Sequence, residues 1–169
     1  SEMCIRDRSR IARCGSGLDN FDVESAHQKG IALHSSPEGN RDAVGEHTLG
    51  MLLNTLHRLS SGDASVRSGA WDREGHRGRE LKHLTVGIIG YGHMGSAFAQ
   101  RLAGFGCRVL AYDKYKEGWG EKPQVKAPLP HVVPVGSDVL AKEADVVTAA
   151  APGAAHLARL EAAAVSYTH

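Results

Sequence analysis

The feature that most restricts the fold of this chain is a glycine-rich turn between an apolar segment and a helix. Residues 84–89 (LTVGII) form a short apolar run with no polar face, which is typical of a strand buried on both sides of a parallel sheet. The turn, residues 90–95 (GYGHMG), follows directly, and residues 96–103 have a helical pattern. A second apolar strand is predicted at residues 108–113. This order predicts a β-α-β unit with a glycine turn at the edge of its sheet.

Each glycine of the turn has a different expected use. Gly90 permits the tight turn, Gly92 lets the backbone approach a pyrophosphate, and Gly95 lets helix and strand pack closely. The N-terminus of the following helix offers N–H groups and a partial positive charge to phosphates. Asp113, at the end of the second strand, would accept hydrogen bonds from ribose hydroxyls and repel a 2′-phosphate. The pattern therefore favours NAD over NADP, with NADP left as an alternative by the neighbouring Lys114.

The remaining predicted elements extend this unit into a doubly wound α/β domain. A short edge strand is expected at residues 132–135, a helix from Ser137 or Asp138 to Glu143, and a buried strand at residues 145–149. The resulting β-α-β-loop-β-α-β order is that of a doubly wound parallel sheet of the Rossmann type.

The N-terminal part of the chain predicts a second, smaller α/β portion. A strand ends at residues 11–14, Asp22 caps a helix that runs through Gln28 and ends at Gly30, and residues 31–34 form another strand. A strand, a helix and a strand in so short a stretch indicate α/β layering.

Between these two portions lies the longest predicted helix. It begins after Asn40 or Asp42 and ends at the Ser60-Ser61-Gly62 stretch. Its apolar residues recur at helical spacing: Val44, Leu49, Leu52, Leu53, Leu56 and Leu59. The leucines are expected to be either core or a seam between two copies of the chain. The segment 63–80 is predicted to be partly helical and then a loop, with Trp71 as its apolar anchor.

Charge and composition exclude several classes of protein. Lys and Arg number 20 against 19 Asp and Glu, so the net charge of +1 provides no field for nucleic acid or an anionic membrane. Hydrophobic residues make up 41%, but no apolar run reaches the roughly 18 residues of a membrane span. The three cysteines, Cys4, Cys14 and Cys107, lack metal-ligand spacing, and no secretory leader is recognisable. We therefore expect no metal and a cytoplasmic location with free thiols.

The two ends of the chain fit no periodic pattern. The chain opens with Ser1, and residues 1–8 and 165–169 resemble translated sequencing-adaptor sequence. We interpret residues 1–8 as non-native and residues 153–169 as a doubtful tail, and expect the chain to be an internal fragment.

Several motifs in one order make the chain similar to a known family. These are residues 13–22 (RCGSGLDNFD), Gly30-Ile31, residues 36–47 (SPEGNRDAVGEH), residues 69–71 (GAW) and residues 87–95 (GIIGYGHMG). Together they resemble the D-isomer-specific 2-hydroxyacid dehydrogenases over roughly residues 11–152. The glycine turn with His93 is most similar to the D-3-phosphoglycerate dehydrogenase branch of that family.

The resemblance implies two domains joined by long helices. Residues 9–41 would be the C-terminal part of a flavodoxin-like substrate domain, residues 42–62 an interdomain helix, and residues 63–152 an incomplete NAD-binding domain. The backbone N–H groups of Ser16 and Gly17 would hold the substrate carboxylate. The implied cofactor-binding residues are Val44 near the nicotinamide, Gly90, Tyr91, Gly92, His93, Met94 and Gly95 around the pyrophosphate, Asp113 at the ribose, and Ala151 and Pro152 beside the adenine.

The resemblance also implies what this chain lacks. The family's catalytic Arg and its His–Glu pair would follow residue 152, so no catalytic residue is expected here, and the fragment alone is not expected to be competent. The implied reaction is oxidation of a D-2-hydroxy acid, with D-3-phosphoglycerate the best candidate, by hydride transfer to NAD in a homodimer. The alternatives are an NADH-sensing corepressor on the same fold and a formate or phosphite dehydrogenase.

Overall fold

The N-terminal part of the chain is a small β-α-β arrangement. The computed structural model describes residues 9–15, 17–18, 20–116 and 128–150. The chain divides into two units, Ser1–Ala43 and Val44–His169. In the first unit a two-stranded parallel sheet is connected by one helix; its elements are β1 (Arg10–Arg13), α1 (Val23–Gln28) and β2 (Ala32–Ser35).

Helix α1 begins and ends as its sequence predicts. The Asp22 carboxylate accepts hydrogen bonds from the Ser25 backbone N–H at 2.9 Å and from the Ser25 hydroxyl at 2.6 Å. These bonds to the charged form lower the pKa of Asp22. After the helix, Gly30 adopts a φ of +66°, a conformation that glycine adopts without strain.

The second unit contains a four-stranded parallel sheet with helices. Its elements are α2 (Arg41–His57, which begins in the first unit), α3 (Leu59–Arg67), β3 (Thr85–Ile89), α4 (His93–Leu102), β4 (Arg108–Tyr112), β5 (Val132–Pro134), α5 (Ser137–Glu143) and β6 (Val146–Ala149). Short 3₁₀ turns occupy Leu81–His83 and Ala103–Phe105. Within the described residues, no helix is both long and apolar enough to cross a lipid bilayer.

The strand order of this sheet confirms the doubly wound prediction. The order is β5-β4-β3-β6, and every pair is parallel. The chain thus adds β4 and β5 on one side of β3 and then returns to add β6 on its other side. The central strands are buried on both faces: Val86, Ile88 and Leu110 have no exposed surface. The apolar run that precedes the glycine turn therefore lies at the centre of the domain.

The predicted end of the long helix is wrong. Arg58 adopts a left-handed conformation (φ +53°), and a new helix, α3, runs from Leu59 to Arg67. Ser60-Ser61-Gly62 therefore lie inside a helix. The side-chain oxygen of Asn54 accepts from both the N–H and the hydroxyl of Ser60, each at 2.9 Å, so that the preceding helix stabilises the start of the next one.

The leucines of α2 belong to the core of the second unit. Leu52 and Leu56 are 6% and 8% exposed, and two partly buried leucines, Leu49 and Leu53, pack against the same cluster. Leu59, in contrast, is 57% exposed. Trp71 is 83% exposed, so the expectation that it anchors the following connection is also wrong.

Helix α2 crosses α4 at a glycine. A Cβ atom on the buried Gly45 would lie 3.1 Å from the Ala97 carbonyl carbon and 2.9 Å from Nη1 of Arg101. The Arg101 guanidinium donates to the Ala97 carbonyl at 2.9 Å and pairs with Glu46 at 3.3 Å. The small residue lets the two backbones approach closely, which fixes the position of the helix that follows the glycine turn.

Candidate functional site

The glycine turn lies at the carboxyl edge of the sheet, between two neighbouring strand ends. On one side the Gly90 N–H donates to the Tyr112 carbonyl at the end of β4 (2.8 Å). On the other, the Ala150 N–H, after β6, donates to the Ile89 carbonyl at the end of β3 (2.7 Å). The strand order reverses at β3, and such reversal points are where doubly wound sheets bind ligands.

Each glycine of the turn has its own structural setting. Gly90 adopts a φ of +84°, which strongly favours glycine. A Cβ on Gly95 would lie only 2.0 Å from the Gly90 carbonyl oxygen, so the close approach of helix to turn requires a glycine there. A Cβ on Gly92 would meet no heavy atom of the described residues within 4 Å. The backbone conformation explains the glycine at position 90, and a close contact within the chain explains the glycine at position 95. Gly92 instead leaves room beside the backbone among the described residues.

The room beside Gly92 adjoins the start of a helix. Helix α4 begins at His93, three residues earlier than predicted, and the Gly92 carbonyl accepts from the Ser96 N–H at 3.1 Å and the Ser96 hydroxyl at 2.7 Å. The first turn of a helix directs N–H groups and a partial positive charge outward. The side chain of His93 is exposed and that of Met94 is half-buried. This end of α4 is therefore accessible to an anion.

The Asp113 carboxylate lies against the glycine turn. Its Oδ2 accepts from the Tyr91 N–H at 2.8 Å, and its Oδ1 accepts from the Tyr115 N–H at 3.0 Å. Each carboxylate oxygen has a second lone-pair direction, so the group can also accept from hydroxyls outside the chain. Asp113 thus has a second role, which the sequence did not indicate, as the residue that connects the end of β4 to the turn.

Tyr91 is the side chain by which the turn is attached to the domain. It is only 5% exposed, its hydroxyl accepts from the Leu129 N–H at 3.2 Å, and its carbonyl accepts from the Lys116 ammonium at 2.5 Å. The predicted cofactor contact of Tyr91 would therefore come from its backbone, because its ring lies in the interior.

The burial of Tyr91 predicts a dependence of stability on alkaline pH. Burial raises the pKa of its phenol above the ordinary value of 10.0, and the hydrogen bond from Leu129 offsets part of that rise. The native state favours the neutral phenol of Tyr91. The contribution of this phenol to the free energy of unfolding is therefore complete below pH 10 and is lost as pH rises through the folded-state pKa. We expect Tyr91→Phe to flatten the decline of unfolding free energy above about pH 10, measured by urea denaturation. Tyr115→Phe is the control, because Tyr115 is 83% exposed and should leave that decline unchanged.

The other predicted site residues are distributed over both units or lie outside the described residues. Val44 is half-buried near the start of α2, and its carbonyl accepts from the Thr48 hydroxyl at 2.8 Å. In the first unit, the Gly17 carbonyl accepts from the Arg13 guanidinium. Ser16, Ala151 and Pro152 lie outside the described residues.

Neither a disulfide nor a metal-ligand cluster accompanies this site in the part of the chain that the structure describes. Cys14 is exposed, Cys107 is half-buried, and both are free thiols; Cys4 lies outside the described residues. Burial raises the pKa of the Cys107 thiol. No group of three or more His, Cys, Asp or Glu side chains there could hold a metal ion.

Comparison with known proteins matches the glycine turn and its surroundings to one family. Residues 49–163 match the domain described as D-isomer specific 2-hydroxyacid dehydrogenase, NAD binding domain. A hydroxypyruvate reductase of Thermotoga maritima is 34% identical over 142 residues, which cover 84% of this chain and 44% of that protein. A D-3-phosphoglycerate dehydrogenase of Mycobacterium bovis is 41% identical over 105 residues, which cover 62% of this chain and 20% of that protein.

A solved structure supports the same relationship at the level of the fold. The D-lactate dehydrogenase of Aquifex aeolicus, complexed with NAD and lactic acid, matches with a TM-score of 0.71 and 31% sequence identity. The match covers 86% of this chain and 42% of that one. The chain therefore spans less than half the length of these relatives.

Proposed function

Because this chain belongs to the D-isomer-specific 2-hydroxyacid dehydrogenase family, we propose that the whole protein oxidises a D-2-hydroxy acid to the 2-oxo acid by hydride transfer to NAD. The observation that carries the proposal is the setting of Gly92. No heavy atom of the described residues lies within 4 Å of a Cβ built on Gly92, which directly precedes α4, and the Asp113 carboxylate contacts the same turn. The glycine turn thus provides backbone donors for a pyrophosphate, and the carboxylate that contacts it can accept from ribose hydroxyls.

The residues present fit a dinucleotide, and we assign them as follows. Gly90, Gly92 and Gly95 form the turn whose backbone, with that of Tyr91, His93 and Met94, would hold the pyrophosphate. Asp113 would hold the ribose, and Val44, Ala151 and Pro152 would border the nicotinamide and adenine. Bound NAD supplies the hydride acceptor, and the protein binds and orients it.

The substrate that we propose is D-3-phosphoglycerate. Its support is the similarity to the mycobacterial D-3-phosphoglycerate dehydrogenase, which has the higher identity of the two relatives but over a shorter match. The longer match is to a hydroxypyruvate reductase, so hydroxypyruvate is the alternative substrate, acted on in the reductive direction. The backbone of Ser16 and Gly17, in the substrate domain that we propose for residues 9–41, would bind the carboxylate of either acid.

Proton transfer requires residues beyond those assigned here. We propose that an Arg, a Glu and a His that follow residue 152 in the whole protein bind the substrate carbonyl and move the proton. General acid–base groups contribute about 10²–10⁴-fold to rate, so this chain alone should bind dinucleotide without appreciable turnover. Residues 42–62 and 63–152 would supply the connecting helix and the cofactor domain.

The experiment that tests the proposal separates binding from turnover. NADH is titrated into the chain and its nicotinamide fluorescence recorded; we expect saturable binding that is tighter than that of NADPH. Oxidation of D-3-phosphoglycerate is then assayed with the chain and with the protein from the complete reading frame, and only the latter should turn over. NADH binding without turnover of any 2-hydroxy acid by the complete protein would instead indicate an NADH-dependent regulator.

We further propose that the whole protein is a cytoplasmic homodimer. Three apolar side chains along α3 and the segment after it are more than half exposed: Leu59, Val66 and Trp71. Leu59 and Val66 are seven residues apart and share one face of α3, which a second copy could cover. The free thiols of Cys14 and Cys107 support a reducing compartment. Sedimentation equilibrium of the complete protein tests the dimer, and a monomer at micromolar concentration would contradict it.

A further inference from the structure

One cation that the family resemblance did not indicate contacts the glycine turn. The Lys116 ammonium donates to the Tyr91 carbonyl oxygen at 2.5 Å and lies 5.4 Å from the centroid of the Tyr91 ring. Its backbone N–H donates to the Asp113 carbonyl at 3.0 Å, which keeps the lysine beside the end of β4. The Tyr91 residue is therefore held from both sides, by Asp113 at its N–H and by Lys116 at its carbonyl.

We propose that Lys116 is a positioning residue of the dinucleotide site, one that orients and polarises the Gly92 N–H for the pyrophosphate. The proposal rests on the proposed function, since it assigns a role within that same site. It adds a residue that lies outside the glycine motif and need not contact the dinucleotide itself.

The planar peptide bond links the Lys116 contact to the direction of the Gly92 N–H. The Tyr91 carbonyl and the Gly92 N–H belong to one planar peptide unit, and no cis peptide occurs in the described residues. In a trans peptide the C=O and N–H bonds point in opposite directions. When Lys116 fixes the carbonyl, it also fixes the Gly92 N–H on the side away from the lysine. Glycine has wide backbone freedom, so this peptide would otherwise rotate readily.

The charge of Lys116 makes the Gly92 N–H a stronger hydrogen-bond donor. A hydrogen bond from an ammonium is stronger than one from a neutral donor and withdraws electron density from the carbonyl. Within one amide this makes the N–H on the other side a better donor, because hydrogen bonds in a chain polarise one another. Lys116 is half-buried, and the Tyr91 ring against which it lies is buried, so solvent screens this effect only in part.

The chain contains a matched control cation two residues away. The Lys114 ammonium lies 4.7 Å from the ring of Tyr115, which is 83% exposed, and Lys114 itself is exposed. Lys114→Met removes the same charge from the same segment. It leaves the contact with the Tyr91 carbonyl in place.

The test compares ligands with and without phosphate groups. Dissociation constants of ADP, NADH, NADPH and adenosine are measured by calorimetry for the unsubstituted chain, Lys116→Met, Lys116→Arg and Lys114→Met. We expect Lys116→Met to weaken ADP and NADH roughly tenfold and to leave adenosine and the NADH-to-NADPH ratio unchanged. Lys116→Arg, which keeps a charged donor, should restore most of the ADP affinity, and Lys114→Met should leave the affinities for ADP, NADH and adenosine unchanged.

Departures from this pattern overturn either the role of Lys116 or the proposed function itself. Unchanged ADP affinity in Lys116→Met would overturn the role of Lys116, and so would an equal loss of adenosine affinity, since a general collapse of the site moves both. Equal effects of Lys114→Met and Lys116→Met would indicate a diffuse charge effect and also overturn it. If Lys116→Met lowers the melting temperature without ligand, the ADP-to-adenosine comparison in Lys116→Gln decides the same question. Failure of the unsubstituted chain to bind NADH would contradict the proposed function itself.

Discussion

Replacement of Gly95 by alanine will abolish measurable dinucleotide binding and lower the free energy of unfolding by roughly 2–3 kcal/mol. The added Cβ would lie 2.0 Å from the Gly90 carbonyl oxygen, 3.0 Å from the carbonyl carbon and 3.3 Å from Cγ2 of Ile88. Two of these atoms are backbone, so no side-chain rotation can relieve the contact. Alanine has the better helix propensity by about 1 kcal/mol, but the clash outweighs that gain.

Dinucleotide binding is lost because the added Cβ forces the glycine turn to deform. Phe98 and Leu102 on the same helix are 2% and 1% exposed in the core, so α4 cannot move as a unit without opening a cavity. The glycine turn must therefore deform, and the backbone donors that we assign to the pyrophosphate lose their arrangement. Urea denaturation and NADH titration of the variant measure both effects.

Gly104, nine residues after Gly95 in the chain, serves as the control glycine. A Cβ on Gly104 would meet no heavy atom of the described residues within 4 Å, so Gly104→Ala should change stability by less than about 0.5 kcal/mol and leave NADH binding intact. If Gly95→Ala bound NADH as well as Gly104→Ala does, the close approach of helix and turn would not be required for the site.

Replacement of Asp113 by asparagine will narrow the difference between NADH and NADPH affinity at least tenfold. The carboxylate repels a 2′-phosphate by about 1 kcal/mol at 4 Å in water and by several times more near a protein surface. A change of 1.4 kcal/mol is a tenfold change in the ratio of the two dissociation constants. Asparagine keeps the size of the side chain and one oxygen that can accept from the Tyr91 N–H, so the turn should remain in place.

The measurement is a pair of titrations, with NADH and with NADPH, for each variant. Asp63→Asn is the control, because Asp63 pairs with Arg67 on the exposed surface of α3 and its substitution changes the net charge equally. The ratio should be unaffected by Asp63→Asn. An unchanged ratio in Asp113→Asn would refute the assignment of Asp113 as the residue that selects NAD.

Local patterns in the chain were sufficient to predict most of the secondary structure. The apolar run before the turn, the Asp22 cap and the edge strand near residue 132 all occur where they were expected. One prediction was wrong: Ser60-Ser61-Gly62 were expected to end the long helix, but they lie inside α3, and the side-chain oxygen of Asn54 accepts from the Ser60 N–H. Hydrophobic periodicity does not reveal a hydrogen bond between a side chain of one helix and the first residues of the next.

Strand burial and glycine spacing are properties of neighbouring residues, so they were enough to predict the kind of domain and the position of its turn. How the turn is held depends on contacts between distant segments. The bonds of Tyr91 to Asp113, Lys116 and Leu129 join residues 22, 25 and 38 positions apart. Tertiary contacts also distinguish Gly95, where a Cβ would collide with the Gly90 carbonyl oxygen, from Gly92, where a Cβ would meet no heavy atom of the described residues within 4 Å. The physical reason is that these contacts depend on distances between segments, which the folding of the sheet sets and no local pattern encodes.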